Sequence, residues 1–237
     1  MNEKMKGIVT VFVDIDDTLW WFTENSKLAL RHTFDAFDIS SVCTYERFKE
    51  VYLKKNLELW NLYHHGLIDK DFLVNERFRF TLKECGYKGD VEKMCHLLDE
   101  EYLRFLALQS TTIPGARQLL EYLVAKGYDV NTLSNGFQGT QQQKLISGGL
   151  SDLIHRNVLS DDCGITKPQR GIFDYALEQC GADAATTVMI GDNPDADIKG
   201  AHDVGWRTIY FNIRGLDPIE GTADAVVTSL DEIRQIL

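Results

Sequence analysis

The stretch VTVFVDIDDTLWW, residues 9–21, joins a predicted strand directly to a cluster of acids. Residues 9–13 are mainly β-branched and aromatic, which predicts a strand buried on both faces. Asp14, Asp16 and Asp17 then follow, so three carboxylates stand within four positions. Like charges this close repel one another, and burial raises the cost of each. Either the acids project into water from a turn, or something cationic holds them together.

The composition limits the class of protein and the kinds of binding partner that are compatible with such a cluster. Of the 237 residues, 44% are hydrophobic and 26% are charged, as in an ordinary globular protein with a sizeable core. Asp and Glu number 36 against 25 Lys and Arg, which gives a net charge of −11. This acid excess argues against a nucleic-acid polymer or an anionic membrane surface as the partner. An anionic substrate would therefore need local positive charge.

Cysteine usage and hydropathy predict a cytoplasmic protein. The five cysteines are scattered without a CxxC pair, so neither a disulfide framework nor a zinc site is indicated. No run approaches the roughly 20 apolar residues of a membrane span, and the apolar N-terminal stretch runs into aspartates before any cleavage site.

The rest of the chain contains two regions with different hydrophobic patterns. From Glu24 to Leu108 there is no proline, and apolar residues recur at spacings of three and four in residues 45–63 and 91–108. This pattern predicts amphipathic helices that form a small bundle. From Thr111 onward, short apolar runs alternate with amphipathic segments. We predict strands at residues 128–134, 157–160, 187–191 and 206–211, then a last strand and helix within 223–237.

Alternating strands and helices predict an α/β fold with a parallel sheet and helices on both faces. The first strand is apolar on both faces and must join that sheet. We therefore predict an α/β core formed by residues 1–19 and 110–237. The helical bundle, residues 20–109, is then an insertion between the first and second strands.

Polar side chains follow several of these strands where each one ends. Asp14 and Asp16 follow the first, Ser134 and Asn135 end the second, and Asp192 follows the strand at 187–191. Ligands bind beyond the carboxyl ends of parallel strands, so these groups are expected to meet. Hard divalent cations prefer carboxylate oxygens, and Mg²⁺ commonly binds substrate phosphate as well. The nearby hydroxyl and Lys167 could hold the remaining phosphate charge.

These residues resemble the four signature motifs of the haloacid dehalogenase-like (HAD) superfamily of hydrolases. The motifs occur in order as DIDDTL (residues 14–19), Ser134, the lysine of GITKP (residues 164–168) and GDNPDAD (residues 191–197). The resemblance covers nearly the whole chain. It implies a Rossmann-like core with an inserted helical cap, and phosphomonoester hydrolysis that depends on Mg²⁺.

The resemblance also implies a role for each motif residue. Asp14 is expected to be the nucleophile that forms an aspartyl phosphate. Asp16 would protonate the leaving alkoxide and later activate water, which requires a raised pKa. Ser134 and Lys167 would hold the phosphoryl group. The metal ligands would be Asp14, the backbone carbonyl of Asp16, and Asp192. Asp197 would support them, through a metal-bound water or by orienting Lys167.

The segments SNGFQGTQQQKL and KPQRGIF resemble the pyrimidine 5′-nucleotidase branch of this superfamily. The expected partner is a small phosphorylated metabolite, handled by a monomer or homodimer. Substrate choice would lie mostly in the cap, where the superfamily reads the leaving group. Asn135 is a further candidate for substrate binding, and Trp20 and Phe137 could stack on a base, although large aromatic residues more often pack between domains. Asp17, where many relatives have glycine, is expected to be a turn residue.

Other functions remain open beside a nucleotidase. A sugar-phosphate or acyl-sugar-phosphate phosphatase would use the same machinery, and a phosphomutase would differ only in how the intermediate is discharged. A dehalogenase would have no need of Asp16, and a catalytically silent binding module would not need the full set of motifs. A phosphorelay receiver shares the residue types but not the helical insertion. A calcium loop would need a central glycine, which both acidic segments lack.

Overall fold

The computed structural model describes residues 4–237, so the first three residues of the predicted core segment lie outside the described residues. One parallel sheet of six strands, β1 to β6, is built in the order β3-β2-β1-β4-β5-β6. The strands are, in chain order, Thr10–Val13, Asp129–Ser134, Arg156–Leu159, Thr187–Gly191, Arg207–Phe211 and Ala225–Val227. The predicted α/β fold with a Rossmann-like parallel sheet is confirmed.

Ten helices, α1 to α10, accompany the sheet within the described residues. They are, in chain order, Phe22–Ala36, Tyr45–His64, Lys70–Glu84, Val91–Ala107, Ala116–Ala125, Gln138–Ser147, Ser160–Cys163, Arg170–Cys180, Gly200–Asp203 and Leu230–Ile236. Short 3₁₀ turns occupy Ile39–Ser41, Ser151–Leu153 and Ala184–Thr186. None of the helices among residues 4–237 combines the length and apolarity of a membrane span.

The strand register brings the predicted site to one edge of the sheet. Val13, the last residue of β1, pairs with Thr132 of β2 on one side and with Ile190 of β4 on the other. The neighbouring strands therefore end within about two residues of each other, and the residues that follow them share the carboxyl edge. Phe12 and Met189, in the middle of these strands, belong to a fully buried core, and the Phe12 ring stacks on Trp206 at 4.9 Å.

The described residues form two compact units. One combines the chain through Phe22 with Ser110–Leu237 and contains the sheet, and the other is Thr23–Gln109. The second unit is helical, and its core is aromatic: the rings of Tyr52 and Phe78 lie 4.7 Å apart, and Tyr102 contacts both. Its role as a cap stays a prediction.

The segment after β4 is helical in two forms. Pro194–Lys199 is a π-helix, and Gly200–Asp203 is α-helical. The amide of Ile198 bonds to the carbonyl of Asn193, five residues back, which is the hydrogen bond of a π turn. The wider turn lies directly after β4, next to the predicted metal ligands.

Candidate active site

Asp14 lies at the carboxyl edge of the sheet, immediately after β1. Its amide donates to the carbonyl of Ile190 in β4, which fixes the backbone there (2.9 Å). The residue is only 7% exposed. Burial raises the pKa of Asp14 to about 7, against the attraction of Lys167, and the charges of Asp197 and Asp16 raise it further. The carboxylate is thus in a site that is short of positive charge.

The Lys167 ammonium joins the predicted nucleophile to the last motif. Its Nζ donates to Asp14 Oδ1 (2.7 Å), to Asp197 Oδ1 (2.6 Å) and to the carbonyl of Leu133 in β2 (2.6 Å). The residue is 2% exposed, so all three bonds are buried. Burial acts to lower the pKa of Lys167, but the two carboxylates outweigh it and raise that pKa. Lys167 is therefore a charged ammonium at the sheet edge.

Asp192 follows β4 and lies beside Asp14 on the same edge. Its Oδ2 accepts from Arg214 Nε (2.8 Å), and its Oδ1 accepts from the hydroxyl of Thr18 (3.4 Å). Burial raises the pKa of Asp192 well above its ordinary value; Arg214 lowers it, whereas Asp14 raises it. This carboxylate, like that of Asp14, has too little compensating charge around it.

Asp197 is held against the end of β4 by the π turn. Its Oδ2 accepts from the Asn193 amide (3.0 Å), while its Oδ1 takes the Lys167 bond. A Cβ on Gly191 would overlap the Asp197 side chain, so the glycine of GDNPDAD allows this close approach. This direct hydrogen bond between Lys167 and Asp197 supports the predicted alternative in which Asp197 orients Lys167.

The acidic cluster fits a hard divalent cation. Asp14, Asp192 and Asp197 each offer one carboxylate oxygen, and these three oxygens lie within 4.8 Å of one another. Burial raises the pKa of Asp14 and Asp192, although Lys167 and Arg214 oppose the shift. The nearby cations therefore do not fully neutralise the three carboxylates. Oxygen donors with residual negative charge are the donor set that Mg²⁺ prefers. The carboxylate of Asp16 is outside this group, and the predicted ligand role of its backbone carbonyl stays a prediction.

Asp17 has the backbone conformation that the predicted turn role requires. Its φ is 59°, in the left-handed region that asparagine and aspartate tolerate better than most residues. Its amide donates to the carbonyl of Trp20, which closes the loop after β1 (2.8 Å). This tight loop turns the chain between Asp16 and Trp20.

The side chain of Asp16 is held by two residues that sequence reasoning did not identify. Lys144 Nζ donates to both carboxylate oxygens, at 2.7 and 3.0 Å, and Gln141 Nε2 donates to Oδ2 at 3.1 Å. Both donors belong to α6. Its polar run QQQKL is typical of a helix face that is exposed to solvent. Their spacing of three residues, with an apolar Leu145 beside them, is the only sequence signal that they share one helix face.

Ser134 ends β2, as expected, and lies within the same edge. Its Oγ accepts from the Gly136 amide (3.2 Å) and from Gln141 Nε2 (2.6 Å), and the residue is 2% exposed. Its hydroxyl keeps its own proton to donate to a ligand. The structure thus places Ser134 at the carboxyl edge of the sheet, where Gln141 of α6 contacts its hydroxyl.

Asn135, which was predicted to bind substrate, contacts the backbone of Lys167, and its substrate contact stays a prediction. Its Nδ2 donates to the Lys167 carbonyl (2.9 Å), and its Oδ1 accepts from the Lys167 amide (2.7 Å). Both ends of the side-chain amide are therefore committed to the backbone that carries Lys167. Asn135 holds the lysine loop against the end of β2, a role that the sequence motif alone did not reveal.

The two aromatic candidates for base stacking are largely covered. Trp20 has no exposed surface; Lys144 Nζ lies 4.8 Å from its ring, and Gly148 and Thr112 lie close by. No face of the Trp20 ring is open in this conformation, and its predicted contact with a substrate base stays a prediction. Phe137, which precedes α6, is 9% exposed, and its predicted contact with a base stays a prediction.

The chain matches a hydrolase family along most of its length. A family model described as "haloacid dehalogenase-like hydrolase" matches residues 8–205. The chain therefore belongs to the haloacid dehalogenase-like hydrolases.

Individual relatives resemble the chain over nearly its whole length. Pyrimidine 5′-nucleotidase YjjG of Escherichia coli (strain K12) is 33% identical over 229 residues, which is 96% of each chain. Pyrimidine 5′-nucleotidase PynA of Streptococcus pneumoniae (strain ATCC BAA-255 / R6) is 30% identical and covers 86% of this chain and 84% of its own. A crystal structure of the HAD-hydrolase YfnB from Bacillus subtilis, bound to magnesium, is 31% identical with a TM-score of 0.87, covering 98% of this chain and 99% of that one.

Proposed function

We propose that this protein is a Mg²⁺-dependent phosphatase that hydrolyses nucleoside 5′-monophosphates, with a preference for pyrimidine nucleotides. The observation that carries the proposal is the contact of Lys167 with Asp14 at the end of β1, within the cluster that Asp192 and Asp197 complete. The substrate class is supported by the whole-length likeness to two pyrimidine 5′-nucleotidases. The metal is supported by the donor set and by the magnesium-bound relative.

In this mechanism, Asp14 is the nucleophile. One of its carboxylate oxygens attacks phosphorus, the bond from phosphorus to the ester oxygen breaks, and an aspartyl phosphate forms. The hydroxyl of Ser134 donates a hydrogen bond to an anionic phosphoryl oxygen. The Lys167 ammonium, whose three hydrogens bond to Asp14, Asp197 and Leu133, attracts the phosphoryl group through its charge. Bound Mg²⁺, held by Asp14 and Asp192, would supply further electrostatic stabilisation of that charge.

Asp16 moves the protons. Its carboxyl group donates a proton to the leaving nucleoside oxygen as the ester bond breaks. The resulting carboxylate then takes a proton from water as that water attacks phosphorus in the aspartyl phosphate. Phosphate leaves, and Asp14 and Asp16 return to their starting states. A stable phenolate can leave without that first proton, whereas a nucleoside alkoxide cannot.

The test is phosphate release from a panel of pyrimidine and purine nucleoside 5′-monophosphates and sugar phosphates. We expect turnover to stop when divalent ions are chelated and to return when Mg²⁺ is added back. Among the substrates, we expect pyrimidine nucleotides to be preferred by at least about 10-fold in kcat/KM, which corresponds to roughly 1.4 kcal/mol.

The panel separates the parts of the proposal. Turnover of sugar phosphates in place of nucleotides would refute the nucleotidase assignment and keep the phosphatase mechanism. Undiminished turnover in the presence of chelator would refute the metal requirement. Asp203→Asn is a suitable control for protein quality, because Asp203 is exposed and forms an ion pair with Lys199 on the helix surface.

A further inference from the structure

One face of α6 points two polar side chains into the buried edge of the sheet. Gln141 has no exposed surface and Lys144 is 3% exposed, although both belong to a strongly polar run. Burying an amide and an ammonium is costly unless each is well paired. Their partners are Asp16 and Ser134, two residues of the proposed mechanism. The pairing therefore indicates a role in catalysis as well as in fold stability.

Lys144 is packed so that its ammonium has little freedom to move. Its Nζ lies 4.8 Å from the Trp20 ring and 5.2 Å from the Phe22 ring, and it donates to both oxygens of Asp16. Aromatic faces attract a cation most strongly where water is excluded. The lysine is thus a fixed point of positive charge, against which the more exposed Asp16 carboxylate is oriented.

Gln141 connects Asp16 to Ser134 through a single nitrogen. Its Nε2 lies 3.1 Å from Asp16 Oδ2 and 2.6 Å from Ser134 Oγ. The chain makes room for this connection, because a Cβ on Gly136 would overlap the Gln141 side-chain amide at well under 3 Å. An alanine at position 136 would therefore displace the amide while leaving Asp16, Ser134 and Lys144 chemically unchanged.

We propose that Lys144 and Gln141 are positioning residues that fix the carboxyl plane of Asp16 for proton transfer to the leaving group; this inference rests on the proposed phosphatase function. Together they contact both oxygens of Asp16, which prevents rotation of a side chain that is otherwise about one-third exposed. Proton transfer needs a donor within hydrogen-bond reach of the leaving oxygen. A misplacement of about 1 Å can cost on the order of 100-fold in rate.

The test is the dependence of kcat/KM on the leaving group in Lys144→Met, which keeps the length and packing of the side chain without its charge. For a pyrimidine nucleoside 5′-monophosphate, whose leaving alkoxide needs a proton, we expect kcat/KM to fall by about 10- to 100-fold. For 4-nitrophenyl phosphate, whose leaving phenolate is stable without one, we expect a fall of less than about 3-fold. Because kcat/KM ends at departure of the leaving group, slow hydrolysis of the aspartyl phosphate does not enter it.

Two further variants distinguish positioning from a structural role. Lys144→Arg keeps the charge and should recover most of the activity on the nucleotide. Gly136→Ala displaces Gln141, which contacts Ser134 as well as Asp16, so it should lower kcat/KM on both substrates and lower it more on the nucleotide. The matched control is Lys126→Met, which removes an exposed lysine that lies 5.5 Å from the Tyr122 ring and is expected to change neither substrate.

Equal losses on both substrates in Lys144→Met would overturn the inference, because the lysine would then act on phosphate binding or on folding. Unchanged kcat/KM on both substrates would overturn it as well. Failure of the unaltered protein to hydrolyse either ester would refute the proposed function itself. The melting temperature of each variant, measured alongside, shows whether a loss of activity follows from unfolding.

Discussion

Asp14→Asn is expected to lower phosphate release from the preferred substrate by at least about 10,000-fold, because the variant lacks the carboxylate oxygen that attacks phosphorus. An amide has nearly the same shape but is a poor nucleophile, so the loss comes from chemistry and not from packing. The measurement is steady-state phosphate release with Mg²⁺ present. Residual catalysis would come only from the binding of the phosphoryl group by Lys167 and Ser134.

The variant is expected to remain folded. In the structure the buried Asp14 carboxyl has a pKa raised to about 7, so its charge does not favour the folded state, and the asparagine is neutral. Asp14→Ala should be as inactive as Asp14→Asn, while Asp203→Asn should retain full activity. A rate in Asp14→Asn above about 1% of that of the unaltered protein would contradict the role of Asp14 as nucleophile.

Arg77→Met is expected to cost about 3 to 5 kcal/mol of the free energy of unfolding, because it leaves the Asp99 carboxylate buried without its partner. Arg77 Nε lies 2.6 Å from Asp99 Oδ1, and the side chains are 3% and 7% exposed. Burial raises the pKa of Asp99, against the attraction of Arg77, so the carboxylate depends on the guanidinium for its charge. Arg77 lies 5.4 Å from the ring of Tyr102, and the ion pair links α3 to α4. Urea unfolding at neutral pH provides the measurement.

A double replacement tests whether the loss comes from an unpaired charge. Arg77→Met with Asp99→Leu removes both charges and is expected to be markedly more stable than Arg77→Met alone. Arg31→Met is the matched control, since Arg31 pairs with Asp35 on the exposed surface of α1 and its loss should leave the free energy of unfolding nearly unchanged. A double variant no more stable than the single one would show that the packing of Arg77, and not its charge, is what matters.

The residues that end strands could be predicted from the sequence because parallel strands have their carboxyl ends at a common edge. Asp14, Ser134 and Asp192 each follow or end an apolar run, and the structure places all three on that edge. The strand predicted at residues 187–191 has those bounds in the structure. Lys167 was found through its order among the motifs, since its loop position carries no periodic signal.

The supporting residues could not be predicted, because their burial contradicts their polarity. Gln141 and Lys144 belong to a run of glutamines and a lysine that is typical of a solvated helix face. Their burial depends on their contacts with Asp16 and Ser134, which are distant in sequence and which local periodicity does not encode. Arg77 is a similar case. It lies on the buried face of α3 with Leu73 and Thr81, and its spacing of four residues from each is the only sequence signal of its burial.

The burial of Trp20 has a long-range cause. Trp20 follows the acidic cluster in sequence, and that position made it a candidate for stacking on a base. In the structure its backbone forms a bridge to Thr112, and the amide of Ile113 donates to the carbonyl of Leu19. This pairing joins segments more than 90 residues apart in the sequence, so the burial of Trp20 could not be judged from its neighbours.

The central claim, that Asp14 carries the phosphoryl group during turnover, is tested most directly by trapping the intermediate. The protein is mixed with substrate and Mg²⁺, quenched in acid within a turnover and treated with borohydride, which reduces an acyl phosphate to an alcohol. Peptide mass spectrometry then locates the reduced side chain. We predict reduction at position 14 in the unaltered protein and none in Asp14→Ala. Turnover without a trapped carboxyl, or reduction at another aspartate, would contradict the mechanism.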